Sequence, residues 1–115
     1  MKRNEIMKMP AGRKMDALIA ERVFGWSWNG DFLLPPPDHP ASVNHWCAKW
    51  DDAGRPHWLP NYSTEIQDAL TVAEKMMRSE YKTRARFVFG FPNSLIVPER
   101  AALIICRAAL LAAFA

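Results

Sequence analysis

Residues 60–81, PNYSTEIQDALTVAEKMMRSEY, carry the clearest helix signal in the chain and decide how the rest is read. Ser63 or Thr64 can accept a hydrogen bond from an orphan backbone N–H, and Thr64 followed by Gln67 has capping-box spacing. Glu65 and Asp68 fall in the first turn, where the positive end of the helix dipole favours carboxylates. Ile66, Ala69, Leu70, Ala73, Met76 and Met77 recur at spacings of three and four, so one face is apolar and needs a cover. A sheet built from the flanking segments is the expected cover.

Toward the N-terminus, Met15, Leu18, Ile19 and Val23 give residues 13–24 a helical pattern, with Asp16 and Glu21 facing away. Gly25 is placed to close that helix in the left-handed conformation glycine tolerates. Pro10, Ala11 and Gly12 separate it from MKRNEIMKM, so residues 1–11 read as a mobile basic arm and residues 12–115 as one domain. Between the two helices, residues 26–28 read as extended and residues 35–37 as a stiff polyproline-like loop. Residues 43–59 read as a hairpin, with Trp46, Ala48 and Trp50 at period two and Pro56 confining the second strand to an edge.

Toward the C-terminus, Phe87, Phe89 and Phe91 alternate in residues 86–91, which predicts a strand. Pro92 and Asn93 turn the chain into a second strand over residues 94–97. Pro98 suits the first position of a last, apolar helix, expected to lie flat on the sheet. The sum is an α+β domain, three helices around a small antiparallel or mixed sheet of about four strands.

At 115 residues there is room for one core, and 50% hydrophobic with 23% charged residues is the balance of a globular domain. The net charge of +3 is unevenly spread. Residues 1–14 carry five basic groups and one acidic, residues 78–86 four and one, and residues 15–77 four and nine. Either basic cluster can hold phosphate, or simply face solvent. Cys47 and Cys106 sit in unlike contexts and suggest no disulfide framework, and no signal peptide is visible. Residues 101–115 are interrupted by Arg107 and fall short of the roughly 20 apolar residues that cross a bilayer, which predicts a buried helix and no membrane partner.

Three blocks carry a resemblance: GRKMDALIAE from Gly12, with Gly25-Trp26 after it; PNYSTEI from Pro60; and ALIICRAAL from Ala102. In this order they resemble the phage ABA sandwich domain family. The resemblance implies an alpha-beta-alpha sandwich and a phage-infected or lysogenic bacterium as the setting, hence its cytoplasm. It implies no settled chemistry. Members carry more strand sequence ahead of the last helix than the dozen residues found here, which leaves the strand count open.

His45 and Cys47, two apart on a strand, point the same way and with His39 or His57 could reach a metal ion, although the spacing matches no standard zinc motif. Cys106 lies in a helix apolar nearly all round, where a thiol is usually a small hydrophobe. A guanidinium at Arg107 on that same helix must reach water, a carboxylate or a ligand. Among five tryptophans, Trp50 or Trp58 beside Arg55 could stack on a ring. Phosphate loops and Ser-His-Asp patterns are not recognisable.

The expectation is therefore a non-enzymatic phage or prophage binding protein with no cofactor. One form sequesters a small nucleotide-like ligand through Arg107, Arg55, Trp50 and Trp58, which could counter a host defence signal. The other assembles with itself or with a phage or host protein through the basic arm and the last helix, whose Leu110, Leu111 and Phe114 reach the end of the chain. Nucleic-acid binding ranks third, because no recognition helix is evident.

Overall fold

The computed structural model describes residues 2–30, 32–36, 48–49, 59–91 and 100–114. Over these the chain forms helices α1 (Arg3–Lys8), α2 (Arg13–Arg22), α3 (Ile66–Met77), α4 (Tyr81–Phe89) and α5 (Ala101–Ala113). Strands β1 (Ser27–Asn29), β2 (Phe32–Leu34) and β3 (Ala48–Lys49) make one antiparallel sheet in that order. The α+β class is as expected. The counts are not: five helices stand where three were expected, and three strands where about four were, among the described residues.

The centre of the fold is α5, against which α1, α2, α3 and α4 all pack. Ala102, Ala108, Ala109 and Ala112 are buried along it with Ile105, Cys106 and Leu110. Small side chains let neighbouring backbones come close, so a helix with little bulk can carry partners on several sides. Leu110, expected to be left for another chain, is fully buried within this one. Arg22 of α2 lies 4.7 Å over the ring of Phe114, which covers that residue in part.

Packing against α5 divides the apolar positions of α3. Ala69, Val72 and Met76 are buried, whereas Ile66, Leu70 and Met77, assigned by periodicity to the same covered face, are about half exposed. Helix α3 starts at Ile66 with Glu65 as N-cap and no side-chain cap, so neither Ser63 nor Thr64 closes it. Asp68 instead reaches back seven residues to the segment before the helix, and its Oδ2 accepts the Asn61 N–H at 2.8 Å.

Where a strand is expected over residues 86–91, residues 86–89 are the last turn of α4 and Gly90 caps it. The same phenylalanines that alternate also stand four apart, and Phe87 and Phe91 meet edge to face at 5.1 Å. Phe87 is buried while Phe89 is exposed, so the helical contact with α5 overrides the period-two pattern. The companion strand over residues 94–97 and the helix start at Pro98 lie outside the described residues.

Helix α4 ends at Gly90, close against Ala108 of α5. A Cβ on Gly90 would stand 3.2 Å from both the Cα and the Cβ of Ala108 and 3.3 Å from the Arg86 carbonyl oxygen. Gly90→Ala is expected to lose about 1–3 kcal/mol of stability, since one methyl group overfills a close-packed contact. Chemical denaturation checks this, and an unchanged or raised midpoint would show that the helices separate freely there.

At the other end of the chain, α2 runs as expected and closes on Gly25 at φ +76°. β1 and β2 form a hairpin joined by residues 30 and 31, with Gly30 at φ +62° supplying the turn. This hairpin was read only as an extended aromatic run. Ala48 pairs with Leu33 of β2, while of the hairpin expected over residues 43–59 only Ala48, Lys49 and Leu59 lie within the described residues and Pro56 lies outside them. Where a mobile arm is expected over residues 1–11, α1 places Ile6 at 1% exposure and packs on α5, a departure the single isoleucine explains.

Candidate functional site

Asp16, expected to face solvent, is 1% exposed and sits at the centre of a polar cluster. Its Oδ1 accepts from the Ser63 backbone N–H at 2.8 Å and from the Ser63 hydroxyl at 2.7 Å. Its Oδ2 accepts from Arg13 one turn earlier at 2.9 Å. The same guanidinium donates to the Leu59 carbonyl at 2.6 Å and to Asn61 Oδ1 at 2.7 Å, and the Gly12 N–H donates to Ser63 Oγ at 2.9 Å. The start of α2 is thus fastened to the segment that leads into α3. Burial pushes the Asp16 carboxyl above its ordinary 3.8, against the Ser63 and Arg13 bonds that pull it down.

Next to this cluster, the Cys106 thiol donates to the Tyr62 carbonyl oxygen at 3.2 Å. Cys106 is fully buried, and burial pushes its thiol up to about 12. At neutral pH it is an un-ionised donor, as the apolar helix predicted. One peptide unit is therefore held at both ends: the Tyr62 C=O by α5 and the Ser63 N–H by α2. The Tyr62 ring stacks on Phe24 at 5.1 Å and 16°.

Arg107 donates from NH2 to the Met9 carbonyl at 2.9 Å and ties the chain after α1 to α5. Its Nε is buried with no hydrogen-bond partner among the described residues. Burial lowers its pKa below the ordinary guanidinium value, and Arg100 adds to that effect. Arg55, Trp50 and Trp58 lie outside the described residues, as do His45, Cys47 and His57. Among the described residues no three His, Cys, Asp or Glu side chains are grouped as a metal would require.

The described surface has an open hollow of about 390 Å³ where the ends of α2, α3 and α5 meet the start of α4. Arg22, Lys75 and Arg86 line it with Thr83 and a single carboxylate, Glu80. Lys75 and Arg86 are exposed and make no ion pair among the described residues, while stacking on Phe114 holds Arg22 in place. The last carbonyls of α3 find donors just beyond the helix end. The Arg78 N–H donates to those of Glu74, Lys75 and Met76, and both the N–H and the hydroxyl of Ser79 donate to Met76. Thr83 Oγ1 is held only loosely, 3.4 Å from Glu80, so it can turn to a ligand. Arg22, Lys75 and Thr83 were not singled out in the sequence; Arg86 belongs to the basic cluster over residues 78–86 that was.

Fold and hollow together define a small α+β domain with an open, cation-lined depression at one end of its helices. The chain belongs to the phage ABA sandwich domain family, whose match covers residues 17–110. That match takes in the second and third blocks of resemblance entire and the first from Ala17 onward. It leaves Asp16 and Arg13 just outside. No curated protein and no solved structure matches the chain. No described helix is long and apolar enough to cross a membrane.

Proposed function

We propose that this phage-associated domain is a non-catalytic binding protein that takes a small phosphate-bearing ligand into the hollow between α3 and α4. The observation that carries this reading is the pair Lys75 and Arg86, which line one cavity with no ion pair to a described carboxylate. Cations gathered around a concavity raise the local concentration of anions, and a guanidinium donates to phosphate in a fixed fork. In the cytoplasm of an infected bacterium such binding would act by sequestering its ligand. Isothermal titration with pyrophosphate at low salt is expected to show saturable binding. Lys75→Glu with Arg86→Glu is expected to weaken it at least about tenfold, as loss of charge-assisted bonds requires. Both residues are exposed, so the variant keeps its fold, and equal binding by the variant would reject the site.

A second reading, assembly with another chain, rests on Ile66, Leu70 and Met77 of α3 and Phe89 of α4, which are exposed at 44, 54, 48 and 84%. Native mass spectrometry separates the two readings. A phosphate-bearing adduct on a monomer supports the first, and an oligomer without adduct the second.

A further inference from the structure

Beside the cation-lined hollow lies a second of about 400 Å³, and the two share Lys75 and Ser79 along their common edge. Its lining is different. Phe24, Thr71, Glu74 and Arg78 join the shared residues, so one aromatic ring and a paired guanidinium replace the cluster of cations. Phe24 lies in a stack on Tyr62, which fixes its ring plane, and the Tyr62 backbone is in turn held by α2 and α5. Arg78 is bridged to Glu74 at 2.6 Å, which neutralises it while leaving a planar group that a flat ring can lie against. A rigid aromatic platform next to an anion site is the combination that holds a base and its phosphate.

We infer that the two hollows form one site for a nucleotide, with the phosphate between Lys75 and Arg86 and the base against Phe24 and Arg78. The inference rests on the phosphate-binding reading above and adds the ligand class. The Glu74 carboxylate accepts hydrogen bonds only, so it favours bases that carry an exocyclic amino group. The two volumes together match what a ligand of nucleotide size occupies, since small-molecule sites run from roughly 300 to 1,000 Å³.

The test compares pyrophosphate, ribose 5-phosphate and adenosine monophosphate on the wild-type chain by isothermal titration. Adenosine monophosphate is expected to bind at least about tenfold more tightly than ribose 5-phosphate, the contribution one stacked base makes. Phe24→Leu keeps an apolar filler but removes the ring, and it should bring adenosine monophosphate to the level of ribose 5-phosphate while leaving pyrophosphate unchanged. Equal affinity of the wild type for adenosine monophosphate and ribose 5-phosphate would overturn the base site and leave the phosphate site standing. Failure of all three, pyrophosphate included, would overturn both. The wild-type comparison decides the matter even if the Phe24 variant proves unstable.

Discussion

Asp16→Ala is expected to lower stability by about 2–4 kcal/mol, because it strands the buried Ser63 N–H and leaves a small void. Against a total of roughly 5–15 kcal/mol for a domain of this kind, that is a drop in thermal midpoint on the order of 10 °C. The Ser63 hydroxyl can turn to the Gly12 carbonyl, 3.2 Å away, and Arg13 keeps the oxygens of Leu59 and Asn61. The backbone N–H has no such second partner. Asp16→Asn keeps one oxygen for Ser63 but turns an amide donor toward Arg13, and its cost is expected to lie below that of alanine. The two variants also separate charge from hydrogen bonding. Since burial raises the folded carboxyl above its unfolded value of 3.8, the folded chain takes up that proton first. The stabilisation is complete below about 3.8 and is lost as pH rises through the folded value. Wild type should therefore gain on Asp16→Asn as the solution is acidified toward pH 4, measured by urea unfolding at each pH. A gap that closes on acidification would show that Asp16 stabilises the fold chiefly as an anion.

Alkali is expected to destabilise the chain progressively above pH 9. Cys106 rises from an ordinary 9.0 to about 12, and burial raises Tyr62 above its ordinary 10.0 as well, with Asp68, Asp16 and Cys106 adding to the effect. For groups raised on folding, stabilisation is whole below the unfolded value and disappears as pH climbs toward the folded one. Three pH units at one buried thiol amount to on the order of 4 kcal/mol between pH 9 and 12. Cys106→Ala removes the titrating group, so its denaturation midpoint should fall less steeply over that range. In the wild type, alkylation of Cys106 at neutral pH should follow global unfolding when monitored by peptide mass. Rapid labelling of the native chain, or equal alkaline slopes in the two proteins, would count against a sealed thiol.

Periodicity revealed the helices best where one face alone is buried. Met15 and Ile19 marked α2, and Gly25 marked its end, because those features are local. Asp16 escaped the same reading, since its partner Ser63 stands 47 residues away and no window along the chain contains both. Residues 86–91 were misread for a different reason. Phe87, Phe89 and Phe91 satisfy spacings of two and of four alike, and the choice was made by Gly90 and Ala108 meeting closely. The β1–β2 hairpin carried a turn signal at Gly30 that the aromatic and proline residues around it obscured. For the hollow, the basic cluster over residues 78–86 was legible as charge. Its partners Arg22 and Lys75 were not, because only tertiary packing brings α2 and α3 to the start of α4.

A peptide bond is flat, so its oxygen and its hydrogen point in opposite directions, and the one between Tyr62 and Ser63 is answered on one side by Cys106 and on the other by Asp16. Those answers come from 44 residues later and 47 earlier in the chain. With only one of the two helices docked, the other pole of that amide would face a dry gap and incur the full penalty of an unmet polar group. Half-assembled forms are thus worse than either extreme, which makes the three blocks of sequence a single cooperative unit. The joint couples the ends of the chain through its middle.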